Sequence, residues 1–404
     1  MNLYQFSDNR CLRILLANFI TNIGNGLHIL TVGKILYDFT GQTLSFGFVY
    51  IIEALMSITL QIYAGFLVDN YKAKNVLVFS DLLRGITVIL CCLGCIYFDH
   101  VFLFIIIITF VINIAKPFYR SASFVIITKI LDDEEEINKF NGFQSSFIQA
   151  GQIIGIALVG VLMLFISPYT ILIINGASFS LSAICLITVK VNDNLNKYTY
   201  SNCSLKNLVP DWVNLFKQLL KNKQLLTLVV VATGDYLFVN FFNLSLAPLV
   251  SERLNNESLW LSVLDMSFAI SSILPGVLWP IISKRDVNYL VLICLFFNTL
   301  SFIVLSFARA KIIILFMSFM IGGATAASNI LLYTKIQFLS EQNMRGKIAS
   351  MRNLLFSLLT VSLIPLVTQT QSISLSKGFV LCGIIVFIYL IIYIVAVKKN
   401  IVRF

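Results

Sequence analysis

Histidine is nearly absent from this chain: His28 and His100 are the only two among 404 residues. Two histidines cannot build a His-rich metal cluster, and no nucleophile–base arrangement is written around either one. No enzyme activity, metal centre or cofactor is therefore expected. The glycine–lysine loop of nucleotide hydrolases, Gly-x-x-x-x-Gly-Lys-Ser/Thr, is missing as well, so the chain does not hydrolyse ATP in the usual way. Charge is scarce: 12% of residues are charged and 58% hydrophobic, which is not the make-up of a soluble domain. Cysteines are few, and Cys91, Cys92, Cys95, Cys185, Cys294 and Cys382 lie in apolar stretches. Cys92 and Cys95 have redox or metal spacing but no His or acidic ligand nearby, so they read as packing residues.

Long apolar runs take the place of what is missing. A spanning helix needs ~20 apolar residues to cross ~30 Å of hydrocarbon. Such windows lie near 11–36, 44–68, 75–97, 101–128, 142–166, 168–189, 224–250, 259–282, 288–307, 311–334, 353–371 and 376–397. Backbone groups in lipid must be satisfied within the segment, so these are helices. The expected fold is an all-α polytopic membrane protein with twelve transmembrane helices in two six-helix bundles. The polar lead Met1 to Asp8 runs straight into the first span, so no cleavable signal peptide is expected.

The net charge of +10 does not indicate nucleic acid, because its placement follows the spans. Of 29 Lys and Arg, 21 fall in or beside every second gap, and only Arg253, Arg309, Lys311 and Lys377 fall on the other side. The positive-inside rule then places both termini in the cytoplasm, with the chain in the inner (cytoplasmic) membrane. The acidic run Asp132 to Glu136 does not alter this, since acidic residues contribute little to topology.

The longest polar stretch divides the spans six and six: 1–190, a linker 191–223, and 224–404. Within the linker, Trp212 to Leu220 has an apolar face beside lysines and reads as a helix on the membrane surface. The halves look like copies. Thr128-Lys129-Ile130 ends the fourth span and Thr334-Lys335-Ile336 the tenth, while Gly65 and Gly276 lie near the inner ends of the second and eighth. Parallel six-helix repeats are a known transporter design.

Between spans two and three stands Gly65-Phe-Leu-Val-Asp69-Asn-Tyr-Lys72-Ala-Lys74, followed by Asp81 and Arg84 on one helical face. A charge cluster that only sets topology is one reading. The other is a latch of Gly65, Asp69, Lys74, Asp81 and Arg84 that holds one conformation of a moving bundle. Ionisable residues in hydrocarbon are costly and are functional suspects. His28, Lys34, Glu53, Lys116, Arg120, Asp235 and Asp265 qualify, with Asp235 near mid-membrane. Lys116 and Arg120 share a face, and pairing with neighbouring acids is the structural alternative to binding substrate. Asn18, Asn22 and Asn25 form a polar stripe on span one, as Asn240 and Asn243 do on span seven.

The loop 2–3 segment resembles the signature of the major facilitator superfamily at Gly65, Asp69 and Lys74, with Asn70 and Lys72 standing where that signature has arginine and glycine. Ile23-Gly24-Asn-Gly26, Tyr37-Asp-Phe-Thr40-Gly41 and Arg345-Gly346-Lys347-Ile348 are similar to its efflux branch of macrolide and enterobactin-type siderophore exporters. Gly151, Gly155 and Gly160 resemble that family's antiporter motif, for which helix packing is the alternative. The resemblance implies a central cavity lined by spans one, four, seven and ten. It then implies that Asn22, Asn25, Lys116, Arg120, Asn240 and Asn243 bind a small molecule, and that Asp235, Glu53 and Asp265 carry protons. Phe238, Phe241 and Phe242 would add an aromatic wall, with ordinary apolar packing as the alternative. The expected partners are a small-molecule substrate, protons and the lipid bilayer, with no nucleic acid. Proton-coupled export of an anionic siderophore or related metabolite is the expected function. Multidrug or macrolide efflux and nutrient uptake by symport are the alternatives.

Overall fold

A computed structural model describes residues 9–40, 44–98, 100–191, 208–254, 259–278 and 286–402. Those residues are helical nearly throughout. Twelve long helices, of 19 to 32 residues, are α1 (Asn9–Thr40), α2 (Leu44–Asn70), α3 (Ala73–Tyr97), α4 (Val101–Ile127), α5 (Glu134–Leu162), α6 (Pro168–Ile187), α8 (Lys223–Arg253), α9 (Leu259–Val277), α10 (Val287–Phe307), α11 (Lys311–Leu339), α12 (Arg345–Ile373) and α13 (Leu375–Lys398). The short α7 (Leu208–Lys221) lies between the two sets of six. Among the described residues nine helices are long and apolar enough to cross a membrane, and Met56–Asp69 and Val263–Val277 are shorter apolar stretches.

Helix starts follow local chemistry. Ser167 accepts from Thr170 N and Pro168 opens α6, while Asn222 accepts from Leu225 N at the start of α8. The acidic run Asp132 to Glu136 opens α5. Asp133 Oδ2 accepts from the Glu135 and Glu136 amides at 3.0 and 3.1 Å, and three glutamates fill the first turn. Negative charge there complements the helix dipole.

Cations close the opposite ends. Arg13 donates to Thr188 O at 2.7 Å, Lys74 to Ile187 O at 2.7 Å and Arg10 to Lys190 O at 3.3 Å, so three side chains cap the end of α6. Arg253, at the end of α8, donates to Leu305 O, Ser306 O and Ala308 O at the end of α10 and to Ser376 Oγ of α13. These bonds satisfy carbonyls that a helix terminus leaves open.

Two compact units form. One comprises Met1–Asp132, Phe147–Trp212 and Glu341–Leu354, the other Asp133–Ser146, Val213–Ser340 and Leu355–Phe404. In the first, α1 packs on α6, α3 on α4 and α6, and α2 on α4. In the second, α8 packs on α13, α10 on α11 and α13, and α9 on α11. The pairings correspond helix for helix, as a duplicated six-helix repeat requires. The units depart from the two halves of the sequence at two places: the start of α5 belongs with the second unit and the start of α12 with the first. Large apolar side chains such as Phe79, Leu90, Ile96 and Phe307 face outward, while Asp81, Arg84, Asn175, Asp235 and Asn298 are buried. That inversion suits a chain whose surroundings are lipid.

Candidate functional site

In the first unit, α2 ends against the beginning of α12. Asp69 Oδ1 accepts from Gly346 N at 2.7 Å and Oδ2 from Lys347 N at 3.0 Å. A carboxylate on two amides at a helix N-terminus is a charge-assisted cap, favoured also by the helix dipole. Glycines make the approach possible. A Cβ on Gly346 would stand 2.7 Å from Asp69 Oδ1 and 2.9 Å from Gly65 O, and a Cβ on Gly65 would stand 2.8 Å from Lys347 Cα. Ser350 of α12 shares a hydrogen bond of 2.8 Å with Ser121 of α4, and Arg345 donates to Thr128 O at 3.3 Å.

A matching junction occurs in the second unit, between the start of α5 and the ends of α9 and α11. Asn141 Nδ2 donates to Thr334 Oγ1 at 2.8 Å and to Gln337 Oε1 at 2.6 Å. Lys335 pairs with Glu134. Ser146 donates to Ile273 O at 3.0 Å, and a Cβ on Gly276 would lie 2.2 Å from Gly142 O. Gly276 thus serves α9 as Gly65 serves α2. Thr128-Lys129-Ile130 and Thr334-Lys335-Ile336 close the two junctions in corresponding places.

The five residues grouped from the sequence as one latch are not brought together. Gly65 and Asp69 meet α12, whereas Lys74 caps α6. Asp81 and Arg84 form a separate, fully buried ion pair inside the first unit. Asp81 also accepts from Ser182 Oγ at 2.7 Å and from Thr21 Oγ1 at 3.2 Å. The Arg84 guanidinium lies between two rings, 4.6 Å from the Tyr119 centroid and 4.7 Å from that of Phe179. Tyr119 in turn donates to Asn18 Oδ1 at 2.9 Å. The knot joins α1, α3, α4 and α6. It answers the desolvation of each charge with a counter-ion, hydrogen bonds and aromatic faces.

The candidate binding residues distribute along three helices. On α1, Asn22 donates to Asn18 O at 2.7 Å and Asn25 to Asn22 Oδ1 at 3.1 Å, so the three asparagines form one linked stripe. Lys116 of α4 is half-buried and Arg120, one turn on, is exposed. On α8, Asn240 is half-buried and Asn243 exposed. Phe238, Phe241 and Phe242, read from the sequence as an aromatic wall or as ordinary packing, are fully buried. Phe238 packs edge-on against Tyr389 and Phe242 stacks on Phe268, so they belong to the interior of the second unit.

Asp235 is buried on α8, ~18 Å along the helix from Lys223. Two residues before it, Thr233 shares a hydrogen bond of 3.1 Å with Tyr389 of α13. Asp265 of α9 is exposed. The side chains of Glu53 and Lys34 lie outside the described residues. No group of three His, Cys, Asp or Glu that could hold a metal ion occurs among the described residues.

The glycines of α5 face α1. A Cβ on Gly155 would meet Ile23 O at 2.2 Å and Gly26 Cα at 3.0 Å, and one on Gly26 would meet Gln152 O at 2.5 Å. Gly151 lies against Phe19 O in the same way. Small residues at these positions let two helices meet backbone to backbone. Cys91 and Cys92 lie in an apolar cluster with Val88, Ile105 and Ile108.

Two features have no counterpart among the sequence expectations. In the Asn141–Thr334–Gln337 triad, neutral Asn141 of α5 meets neutral Thr334 and Gln337 of α11, and no spacing rule links the two helices. Arg253 reads in the sequence only as an outer-side charge, yet it ties three helix ends. Its position at the end of one span, ahead of an apolar helix terminus, is the available signal.

The sequence profile of the family described as Major Facilitator Superfamily matches residues 14–365. A stretch of 183 residues is 26% identical to the uncharacterized MFS-type transporter YfiS of Bacillus subtilis (strain 168), covering 45% of this chain and 42% of that one. The matched stretch thus spans less than half of that relative. Among solved structures, the outward-facing bacterial homologue of the iron transporter ferroportin superposes with a TM-score of 0.74 at 14% identity, over 97% of this chain and 100% of that one. The human organic anion transporter MFSD10 (TETRAN) gives 0.74 at 13% identity over 96% and 100%. The E. coli fucose:proton symporter FucP gives 0.74 at 11% identity over 95% and 98%. At these identities the likeness is one of fold.

Proposed function

This chain belongs to the major facilitator superfamily, and from that premise we propose that it is a secondary active exporter, driven by the proton gradient, of a small organic anion such as a siderophore. The observation that carries the proposal is Asp235, a carboxylate buried in a spanning helix. A charge in low dielectric is expensive, and taking up a proton removes it. A site of that kind biases the balance between two conformations as its protonation changes. FucP is a fucose:proton symporter, which puts proton coupling within reach of this fold.

Lys116 and Arg120 on α4, with the asparagines of α1, supply the anion preference in this reading. Guanidinium and ammonium groups bind carboxylate or catecholate oxygens through charge-assisted hydrogen bonds. The organic anion transporter among the fold relatives is compatible with such cargo. The basic gaps support a reading with both termini in the cytoplasm and the chain in an inner membrane. In that orientation the Asp69–α12 and Asn141–α11 junctions lie at the cytoplasmic ends of their helices. We read the first as a latch that must part before a path opens to that side.

The test is flux of a catecholate siderophore into inside-out vesicles or proteoliposomes, with and without an imposed pH gradient. Accumulation that needs the gradient and collapses with a protonophore is the expected result. Flux that ignores the gradient overturns the coupling. Co-transport of substrate and protons in one direction would place the chain with the uptake symporters instead.

A further inference from the structure

The short helix α7 carries three neighbouring stripes of different chemistry. Trp212, Leu215 and Leu219 are spaced i, i+3, i+7 and are buried, at 7%, 1% and 2% exposure. Beside them Val213, Phe216 and Leu220 repeat the same spacing but stand open, at 45%, 48% and 65%. Next around the helix come Lys217 and Lys221, both exposed, and Asn214 and Gln218 complete the circumference. Lys223, also exposed, opens the following helix. The buried stripe explains how α7 holds to the protein. It does not explain a second apolar stripe with lysines along its rim.

From this pattern we infer that α7 is a binding surface for anionic phospholipid, seating Val213, Phe216 and Leu220 among the acyl chains and Lys217 and Lys221 on the headgroup phosphates. A spanning protein always has a bilayer beside it, and α7 runs directly into α8 through the Asn222 cap, so its level is that of a helix end. Trp212 Nε1 donates to Ile62 O at 3.2 Å, eight residues short of the end of α2. That is ~12 Å along α2 from its end, and a tryptophan beside lysines is the composition of a membrane–water interface. Lysine stems lie along apolar surface while their ammonium groups reach outward, which fits the order of the stripes. Charge decides the class of lipid, because three exposed ammonium groups, those of Lys217, Lys221 and Lys223, outnumber the single carboxylate of α7, that of Asp211.

The experiment uses the full chain in nanodiscs and detergent. Bound lipid is counted by native mass spectrometry after equilibration with equal phosphatidylglycerol and phosphatidylcholine, and thermal melting is followed in each lipid. Wild type should retain phosphatidylglycerol in preference and melt higher in it. Replacing Lys217→Gln and Lys221→Gln should cut that preference by about fivefold for each lysine removed. The control is Lys398→Gln with Lys399→Gln, exposed at the end of α13, which should leave most of the preference in place. Phe216→Ser with Leu220→Ser should lower retention of both lipids alike. Equal retention of the two lipids by wild type, or equal losses in the α7 and α13 variants, overturns the inference. So does a thermal shift reproduced by inorganic phosphate alone, which would mean a soluble-anion site.

Discussion

Asp69 and Gly346 are 277 residues apart in the chain, yet the carboxylate of one caps the helix opened by the other at 2.7 Å. Nothing larger than glycine fits at either side of the contact, since Gly65 and Gly346 both touch backbone where a Cβ would stand. The bond joins two helices far apart in sequence within one compact unit.

Asp69→Asn keeps one acceptor oxygen and loses the charge. Its cost to the cap is about 1 kcal/mol, so the protein should fold and insert normally. Gly346→Ala forces the helices apart and should cost about 1–3 kcal/mol. Both should change transport rate in proteoliposomes by severalfold at unchanged expression, and normal rates in both would remove the latch.

Arg84→Ala is expected to behave differently. It strands Asp81 in the interior and removes a guanidinium stacked between Tyr119 and Phe179. Breaking a buried pair by deleting one partner costs about 3–5 kcal/mol. Yield of folded protein and its melting temperature should fall sharply, where Asp69→Asn leaves them intact. A stable Arg84→Ala protein with slow transport would return Arg84 to the latch.

Asp235→Asn should flatten the pH dependence of transport while substrate still binds. Export driven by a proton gradient should fall at least tenfold, with downhill exchange retained. Should Asp235→Asn keep the wild-type pH profile while Glu53→Gln loses it, the proton carrier is Glu53. Unchanged profiles in both would reject carboxylate coupling through this pair.

Lys116→Gln with Arg120→Gln should weaken an anionic siderophore more than a neutral or cationic drug. Two charge-assisted hydrogen bonds at about 1.5 kcal/mol each amount to about 3 kcal/mol, or roughly two orders of magnitude in Kd. Calorimetry on purified wild type and double variant, with one ligand of each charge, measures the difference. Equal losses for every ligand would mark the two cations as structural.

The fold is legible in the sequence because the bilayer fixes span length, and apolar windows near 20 residues mark helices without any knowledge of packing. Gly65 and Asp69 are legible as a site, as is Arg345-Gly346-Lys347, but as two separate signals. Their union is a contact across most of the chain, which local spacing does not encode. Asp81 and Arg84 are legible as a pair by their three-residue spacing. Their location is not, for Arg84 stands ~17 Å into α3, beyond the reach of the charges at its start. Phe238, Phe241 and Phe242 carry two readings, a cavity wall and ordinary packing, because sequence alone does not say which side of α8 meets its neighbours. All three are buried, and Phe238 and Phe242 pack against Tyr389 and Phe268.

The exchange of helix ends also sets an order for biosynthesis. Domains commonly fold as units while the chain is still emerging. Here the first unit needs Glu341–Leu354, and the second needs Asp133–Ser146. When the first six spans have left the ribosome, α2 still has no helix for Asp69 to cap. The start of α5, already made, must be held over for spans that come later. Neither half of this protein can reach its final packing by itself, and the last pieces settle only when translation is nearly complete.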